Sequence, residues 1–277
     1  AHSFPTRRSS DLIAAFTQGR PKEVFAEADG NPGETLPLPG GHGQNFAVLK
    51  DIYQKLYDSG KRFVYLGNVD NIGFTIDPVG LAYLALSGKQ AAFDFSYRTA
   101  VDVKGGILVR DQHGRLNCAD IGPAISKEEV FNAEERGKAI LFNCATGLFN
   151  LEYLVSHIDE IISGLPMRVS DQNKDAGRYS QAEQVTWEVI SMLDDFLVFA
   201  VEKWDRFLAA KMLMETLMTS GLKLDDPSYP SSEDPAEDLQ STARKLHDGL
   251  TRKLRNQYGM DLKDRRWRPV SPAEIEL

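Results

Sequence analysis

The stretch that most constrains the fold is Arg62–Gly73, RFVYLGNVDNIG. Four strand formers, Phe63, Val64, Tyr65 and Leu66, stop at the polar cluster Asn68-Val69-Asp70-Asn71, and Gly73 follows. A short apolar run with aromatic and β-branched residues and a polar stop predicts a buried parallel strand. Open α/β sheets bind ligands in the crevice beyond the carboxyl ends of such strands. Asp70 falls at that edge, where a carboxylate can hold a divalent cation against phosphate oxygens. The same residues serve equally as turn formers, with Asp70 as a cap and Asn71 in the bend. The neighbouring stretches therefore decide between the readings.

The spacing around this strand predicts an α/β layer fold with a largely parallel sheet. Phe46, Leu49, Ile52, Tyr53 and Leu56 lie on one face of a helix over Asn45–Ser59, which Gly60 ends. Asp77-Pro78 opens a second helix to about Ser87, Asp suiting the N-cap and Pro the first turn. Ala91–Tyr97 reads as a strand, Gly106–Arg110 with Leu116–Ala119 as a hairpin, and Ala139–Ala145 as another strand. Helices are predicted over Asn150–Ser163, Gln181–Leu193 and Arg206–Met218, with a strand over Phe196–Val201. Leu224–Pro235 has the composition of a linker. Ala236–Tyr258 is an amphipathic helix with Leu239, Ala243, Leu246, Leu250 and Leu254 as its stripe. The tail beyond Gly259 carries Arg265, Arg266, Trp267 and Arg268, a docking surface rather than a nucleic-acid site.

Composition narrows the function classes. The 277 residues are 42% hydrophobic and 26% charged, as in an ordinary soluble globular protein. A net charge of −8 argues against a broad nucleic-acid surface and permits a small-molecule enzyme. Cys118 and Cys144 form no CxxC pair and no metal-ligand spacing, which points to a reducing, cytoplasmic compartment. No run approaches the roughly 18 apolar residues of a membrane span. The first twelve residues, AHSFPTRRSSDL, resemble a translated sequencing adapter. They are set aside, as tags and fusion scars are. The expected organisation is thus an artefact at 1–12, a partial catalytic domain over 13–220, and a linker with a C-terminal helix over 221–277.

Four polar stretches interrupt the α/β pattern: Pro39–Gly43, Asn68–Asn71, Val103–Gly106 and Arg206–Lys211. Paired glycines let backbone approach a ligand and can form an anion-binding nest, although singly each serves as a hairpin corner. His42 between glycines lies in a segment too loop-like to bury it. Lys211, in the apolar run RFLAAKMLMETL, either snorkels to solvent or meets a phosphate.

Taken in order, these stretches resemble the UTP–glucose-1-phosphate uridylyltransferase (UDP-glucose pyrophosphorylase) family. Pro39–Gly43 (PGGHG) matches its P-P-G-H-G loop, and Gly67–Gly73 (GNVDNIG) its S-N-x-D-N-L-G strand end. Ser96–Gly106 (SYRTAVDVKGG) matches T-D-K-T-x-x-D-x-K-G-G. Phe142–Leu151 (FNCATGLFNL) matches F-N-T-N-N-L-W-x-N-L loosely, Gln181–Glu183 matches Q-x-E, and Arg206–Lys211 (RFLAAK) matches R-F-L-P-V-K. The resemblance spans Leu38–Leu217.

It implies a nucleotide-diphospho-sugar transferase fold, a Rossmann-like mixed sheet, here with a helical C-terminal extension. The implied reaction joins UTP and glucose 1-phosphate into UDP-glucose and pyrophosphate with Mg2+, by in-line attack on the α-phosphorus. By position, the resemblance implies that Gly41, His42 and Gly43 lie by the uracil and sugar phosphate. Asn68 and Asp70 lie by the sugar nucleotide, Asp70 on the metal. Gly106 and Asn143 line the sugar pocket, and Lys211 meets the phosphates. Catalysis of this kind rests on positioning and charge neutralisation.

Four departures bear on these expectations. The motif's Asn pair is replaced by Ala145-Thr146, and its Pro-Val by Ala209-Ala210. No counterpart of the family's C-terminal β-helix is recognisable. Nor is its Gly-rich UTP loop, which is expected upstream, so the chain alone is expected to be inactive. The alternatives are a pyrophosphorylase for another UDP-sugar such as UDP-N-acetylhexosamine, or a non-catalytic nucleotide-sugar-binding protein.

Overall fold

The computed structural model describes residues 12–71, 73–207, 220–234 and 238–270. Along the chain, β1 (Leu12–Ala14) pairs antiparallel with β2 (Pro37–Pro39). The Asn45–Ser59 helix is two pieces, α1 (Asn45–Val48) and α2 (Lys50–Asp58), joined at Leu49. Then come β3 (Phe63–Gly67), α3 (Pro78–Ser87), β4 (Ala91–Tyr97), and the hairpin β5 (Gly105–Arg110) and β6 (Leu116–Ile121). Asp77 caps α3 by accepting the Val79 N–H at 3.0 Å, as its sequence requires. Next are α4 (Lys127–Glu135), β7 (Leu141–Asn150), α5 (Leu151–Ser156) and α6 (Ile158–Gly164). The hairpin β8 (Met167–Lys174) and β9 (Gly177–Gln184) follows, then β10 (Phe196–Ala200) and the one-turn helix α7 (Lys203–Arg206). The long helix α8 (Leu239–Tyr258) and the hairpin β11 (Met260–Lys263) and β12 (Arg266–Pro269) complete the described residues.

The central sheet has six strands in the order β10-β4-β7-β5-β6, with β3 also paired to β7. It is mixed, as the family resemblance implies, and not largely parallel: among the described residues only β10 and β4 of this sheet run parallel. The organising strand β3 corrects the sequence reading in the same way. It pairs antiparallel with β7 and is half-buried. Val64 and Leu66 pack into the main core, while Phe63 and Tyr65 pack against Leu84, Ala92 and Leu148 on the other face. Cover on both faces makes the run continuously apolar, and that pattern carries no information about strand direction.

Gln181–Leu193 is a second correction. Gln181–Gln184 lies in β9, and a 3-10 segment, Thr186–Met192, follows. The main core is aromatic and aliphatic, with Phe93, Phe95 and Phe149 from the sheet against Leu151, Leu154 and Ile161 from α5 and α6. Phe93 and Phe149 meet edge to face at 5.5 Å, the arrangement favoured by ring quadrupoles. Within the predicted linker, Tyr229 is buried against Ala243 and Leu246 of α8. Among the described residues no helix is long and apolar enough to cross a membrane.

Candidate active site

The strand β7 creates the site by what pairs along one of its edges. β3 pairs with the later part, from Phe63↔Asn150 to Gly67↔Thr146, and β5 touches the earlier part at Ile107↔Phe142. Asn143, Cys144 and Ala145 fall between the two neighbours. The other edge is irregular at the same place, where the β4 register shifts between Phe93↔Gly147 and Phe95↔Asn143. Ala145 sits at φ +49°, in the left-handed region that Ala seldom adopts. Such a β-bulge re-aims side chains and ends regular pairing. The matched motif has Asn at this position, a residue type far more at ease in that conformation.

The carboxyl end of β3 enters this notch. The Asn68 N–H donates to the Ala145 carbonyl at 3.3 Å. Asn71, buried, donates from Nδ2 to the Cys144 carbonyl at 3.2 Å and to the Arg206 carbonyl at 3.3 Å. Its Oδ1 accepts the Gly73 N–H at 3.1 Å. Asp70 stands half-buried in the turn so fixed. Behind the turn, Arg206 donates to Asp94 Oδ2 from Nε at 3.0 Å and Nη2 at 2.6 Å, and to the Thr75 carbonyl at 2.8 Å. Burial pushes the Asp94 carboxyl up, against the pull of Arg206. Three residues earlier on α7, buried Lys203 pairs with buried Asp102, in the loop that leads to Gly105 and Gly106. Burial lowers the Lys203 pKa and Asp102 opposes the shift.

The start of β5 enters from the other side. A Cβ on Gly106 would lie 2.4 Å from Cys118 Sγ, 3.4 Å from Asp120 Oδ1 and 3.6 Å from Asn143 Cβ. Gly106 is therefore required by the close approach of β6. Asn143 is buried and donates from Nδ2 to Cys118 Sγ at 3.4 Å, while its Oδ1 accepts the Ala145 N–H at 2.9 Å. Asp120 reaches solvent, yet the surrounding protein and the nearby Glu183 carboxylate raise its pKa. Burial also raises the Glu188 pKa, with Arg168 opposing and Asp120 adding to the shift. Burial pushes the Cys118 thiol up to about 12, so it is not a nucleophile at neutral pH.

The glycine loop closes this acidic side. Gly41, at φ +86°, leaves no room for a side chain: a Cβ would sit 2.4 Å from the Gln184 carbonyl oxygen and 2.8 Å from Glu183 Cβ. A Cβ on Gly43 would meet the Gln184 and Leu165 side chains at 2.7 Å. His42 is exposed, as its loop context predicts. Its Nδ1 accepts the Thr186 N–H at 3.2 Å, so the neutral ring carries its proton on Nε2. Asn45 holds this corner, donating to the His42 carbonyl at 2.8 Å and to Thr186 Oγ1 at 2.9 Å.

The structure thus brings Asn68 and Gly106 to β7 beside Asn143, with Asp70 on the adjoining turn, and sets Gly41–Gly43 against Glu183 and Gln184 of β9. Lys211 lies outside the described residues. Sequence reasoning passed over Asp120, Asp94 and Lys203, and marked Glu183 only as part of the matched Q-x-E stretch. The signal for Asp120 was a charge at a strand end, in LNCADIG, where alternation breaks. Among the described residues no three His, Cys, Asp or Glu side chains gather as a metal site.

Comparison with known proteins matches the chain to one family. The profile of UTP–glucose-1-phosphate uridylyltransferase matches residues 21–225. The potato (Solanum tuberosum) enzyme of that name is 24% identical over 234 residues, covering 80% of this chain and 48% of the relative. The barley (Hordeum vulgare) enzyme is 23% identical over 256 residues, covering 87% and 54%. Among solved structures, UDP-glucose phosphorylase from Trypanosoma brucei superposes with a TM-score of 0.63 at 24% identity, over 81% of this chain and 50% of that one. UDP-glucose pyrophosphorylase from Leishmania major, in complex with UDP-glucose, gives 0.59 at 22%, over 81% and 49%. The chain spans about half the length of the relatives it matches. The fold is that of these pyrophosphorylases, and with a profile match over most of its length the chain belongs to the UTP–glucose-1-phosphate uridylyltransferase family.

Proposed function

We propose that this chain forms the sugar-nucleotide side of a uridylyltransferase that makes UDP-glucose and pyrophosphate from UTP and glucose 1-phosphate. The observation that carries the reading is the convergence of two stretches on β7: the Asn68–Asn71 turn and Gly105–Gly106 meet at the notch that holds Asn143, and the Gly41–Gly43 loop closes its acidic side. A phosphate oxygen of glucose 1-phosphate attacks the α-phosphorus of UTP, and the bond to the β-phosphate bridging oxygen breaks as pyrophosphate leaves. That chemistry asks the protein to position reactants and balance charge, with no covalent nucleophile.

Roles follow from the chemistry of each group. The Nε2–H of His42 and the backbone of Gly41 and Gly43 face the uracil and sugar phosphate. Asn143, Gly106 and the Asp120 carboxylate read the sugar hydroxyls, for which carboxylate acceptors are apt. Asn68 orients the sugar nucleotide, and Lys211 meets the phosphates. Asp70 fits Mg2+ as a lone carboxylate, because that ion takes one or two carboxylates and completes its shell with phosphate oxygens and water. When bound, the ion would neutralise developing phosphate charge.

The test is a calorimetric titration of UDP-glucose into this chain with Mg2+ present. Saturable binding tighter than about 1 mM, equivalent to about −4 kcal/mol, supports the reading, and no binding overturns it. In the full-length enzyme, Asp70→Asn should lower pyrophosphate release by about 100- to 1,000-fold with circular dichroism unchanged. Near-normal release would remove Asp70 from the metal-phosphate role.

A further inference from the structure

The C-terminal helix buries a residue that its sequence does not lead one to bury. The leucine stripe would put Leu250 and Leu254 against the protein, but both are only half-buried. The buried residues of α8 are Thr242, Ala243, Leu246, Gly249 and Lys253, so the stripe holds through Ala243 and Leu246 and then turns one position, to Gly249 and Lys253. Two contacts explain the rotation. A Cβ on Gly249 would lie 2.1 Å from the Trp204 carbonyl oxygen, so this glycine lets α8 approach the backbone of α7. Lys253 then reaches past α7, and its ammonium donates to the Gly73 carbonyl. Gly73 is itself pressed on Arg206, whose carbonyl carbon and oxygen would lie 2.9 Å from an added Cβ.

We propose that Lys253 is a positioning residue for the phosphate end of the site, holding from the C-terminal helix the turn that carries Asp70. This rests on the role assigned to Asp70 above. A leucine at 253 would extend the apolar packing without desolvating a charge, which costs several kcal/mol unless it is compensated. Lys253 is 6% exposed, with no ion pair to a carboxylate among the described residues. Burial, with Arg206 nearby, pulls its pKa down to about 8, and Asp205 offsets this only in part. What this costly side chain gains is one carbonyl, three residues beyond Asp70. The same turn is held by Asn71 from within, by the β7 bulge in front and by Arg206 behind. Lys253 adds a hold from a helix 180 residues away in sequence, beside Gln257, whose Oε1 accepts the Thr75 hydroxyl at 3.0 Å. The nearby Arg252–Asp205 pair, 2.7 Å and more exposed, ties α8 to α7 without touching the turn.

The experiment compares wild type, Lys253→Met, Lys253→Arg and Arg252→Ala by amide hydrogen exchange and by UDP-glucose titration with and without Mg2+. Positioning predicts that residues 68–75 exchange about ten-fold faster in K253M while the β5–β6 hairpin does not change. Arg252→Ala should leave the turn as in wild type, and K253R should recover part of the protection. UDP-glucose affinity with Mg2+ should fall about ten-fold in K253M, yet stay within about two-fold without it. Unchanged exchange at 68–75, or acceleration spread over the whole chain, would overturn the proposal. So would a faster-exchanging turn with Mg2+-linked affinity intact, since Lys253 would then only dock the helix. Should wild type bind no UDP-glucose, the functional reading fails, while exchange still decides whether Lys253 holds the turn.

Discussion

The two sides of the β7 bulge handle charge differently. On the side of the Gly41–Gly43 loop, the ionisable neighbours are chiefly carboxylates, Asp120, Glu183 and Glu188, with Arg168 reaching only Glu188. On the side of the Asn68–Gly73 turn, three buried cations stand behind the backbone: Lys203, Arg206 and Lys253. On the function proposed above, the acceptor-rich side would meet the sugar hydroxyls, while on the other side Lys203 and Arg206 are already matched by Asp102 and Asp94. The difference also separates two kinds of cost. The cations are paired or hydrogen-bonded and hold the fold together, whereas the Asp120 and Glu188 carboxylates are disfavoured as charges by their surroundings and by their acidic neighbours. Stability and binding should therefore fall together on one side and part company on the other.

The largest effect should come from breaking the cationic side at Arg206. Arg206→Met leaves the Asp94 carboxylate buried without its partner, a change that costs about 3–5 kcal/mol. Urea unfolding at pH 8 should show that loss. The pH dependence has a definite sign. The folded Asp94 pKa is already raised by burial, so stability from this group falls as pH rises from the ordinary carboxylate range through the folded value. Removing Arg206 takes away the opposing pull and widens that window upward. The loss should accordingly be smaller at pH 5 than at pH 8, and an equal loss at both would show that Asp94 is not the group left stranded.

On the acidic side, Asp120→Asn should do the reverse. It keeps a hydrogen-bonding group but removes a charge that burial and Glu183 disfavour. Unfolding at pH 7 should show stability equal to wild type or slightly higher. The mutant should also lose the part of the acid-side slope in which stability falls as pH rises through the raised Asp120 pKa. UDP-glucose affinity should meanwhile drop by about ten- to a hundred-fold, the scale of a charged hydrogen bond. Coupled loss of stability and affinity would erase the contrast between the two sides.

Much of this contrast was legible in the sequence as residues, and little of it as direction. The turn and the paired glycines are marked by polar and glycine interruptions of apolar runs, whereas Asn143 is marked only by the family resemblance. Those signals survive because backbone approach and turn geometry demand particular residue types. Strand direction is absent from the sequence, so β3 read as parallel. The hairpin β8–β9 is mostly polar and half-exposed, and Gln181–Leu193 therefore passed for a helix. The helix α4 was overlooked despite its capping box between Ser126 and Glu129, whose contribution is local and visible without tertiary packing. The face of α8 could not be read, because Gly249 and Lys253 turn inward only to meet Trp204 and Gly73, residues distant in sequence.

The smallest effect tests the strand residue that both sides share. In an ordinary buried strand, Ala→Gly loses a methyl group, about 0.8 kcal/mol, and adds about 0.5–1 kcal/mol of backbone entropy cost. Ala145 is buried, so Ala145→Gly would there cost close to 2 kcal/mol. At φ +49°, however, Ala carries about 1–2 kcal/mol of left-handed strain that Gly does not. The opposing contributions nearly cancel, and urea unfolding should place Ala145→Gly within about 0.5 kcal/mol of wild type. A loss near 2 kcal/mol would mean that β7 runs extended through 145. In that case the Asn68 N–H would have no bulge to meet, and the notch that separates the acidic side from the cationic one would not be a property of the strand.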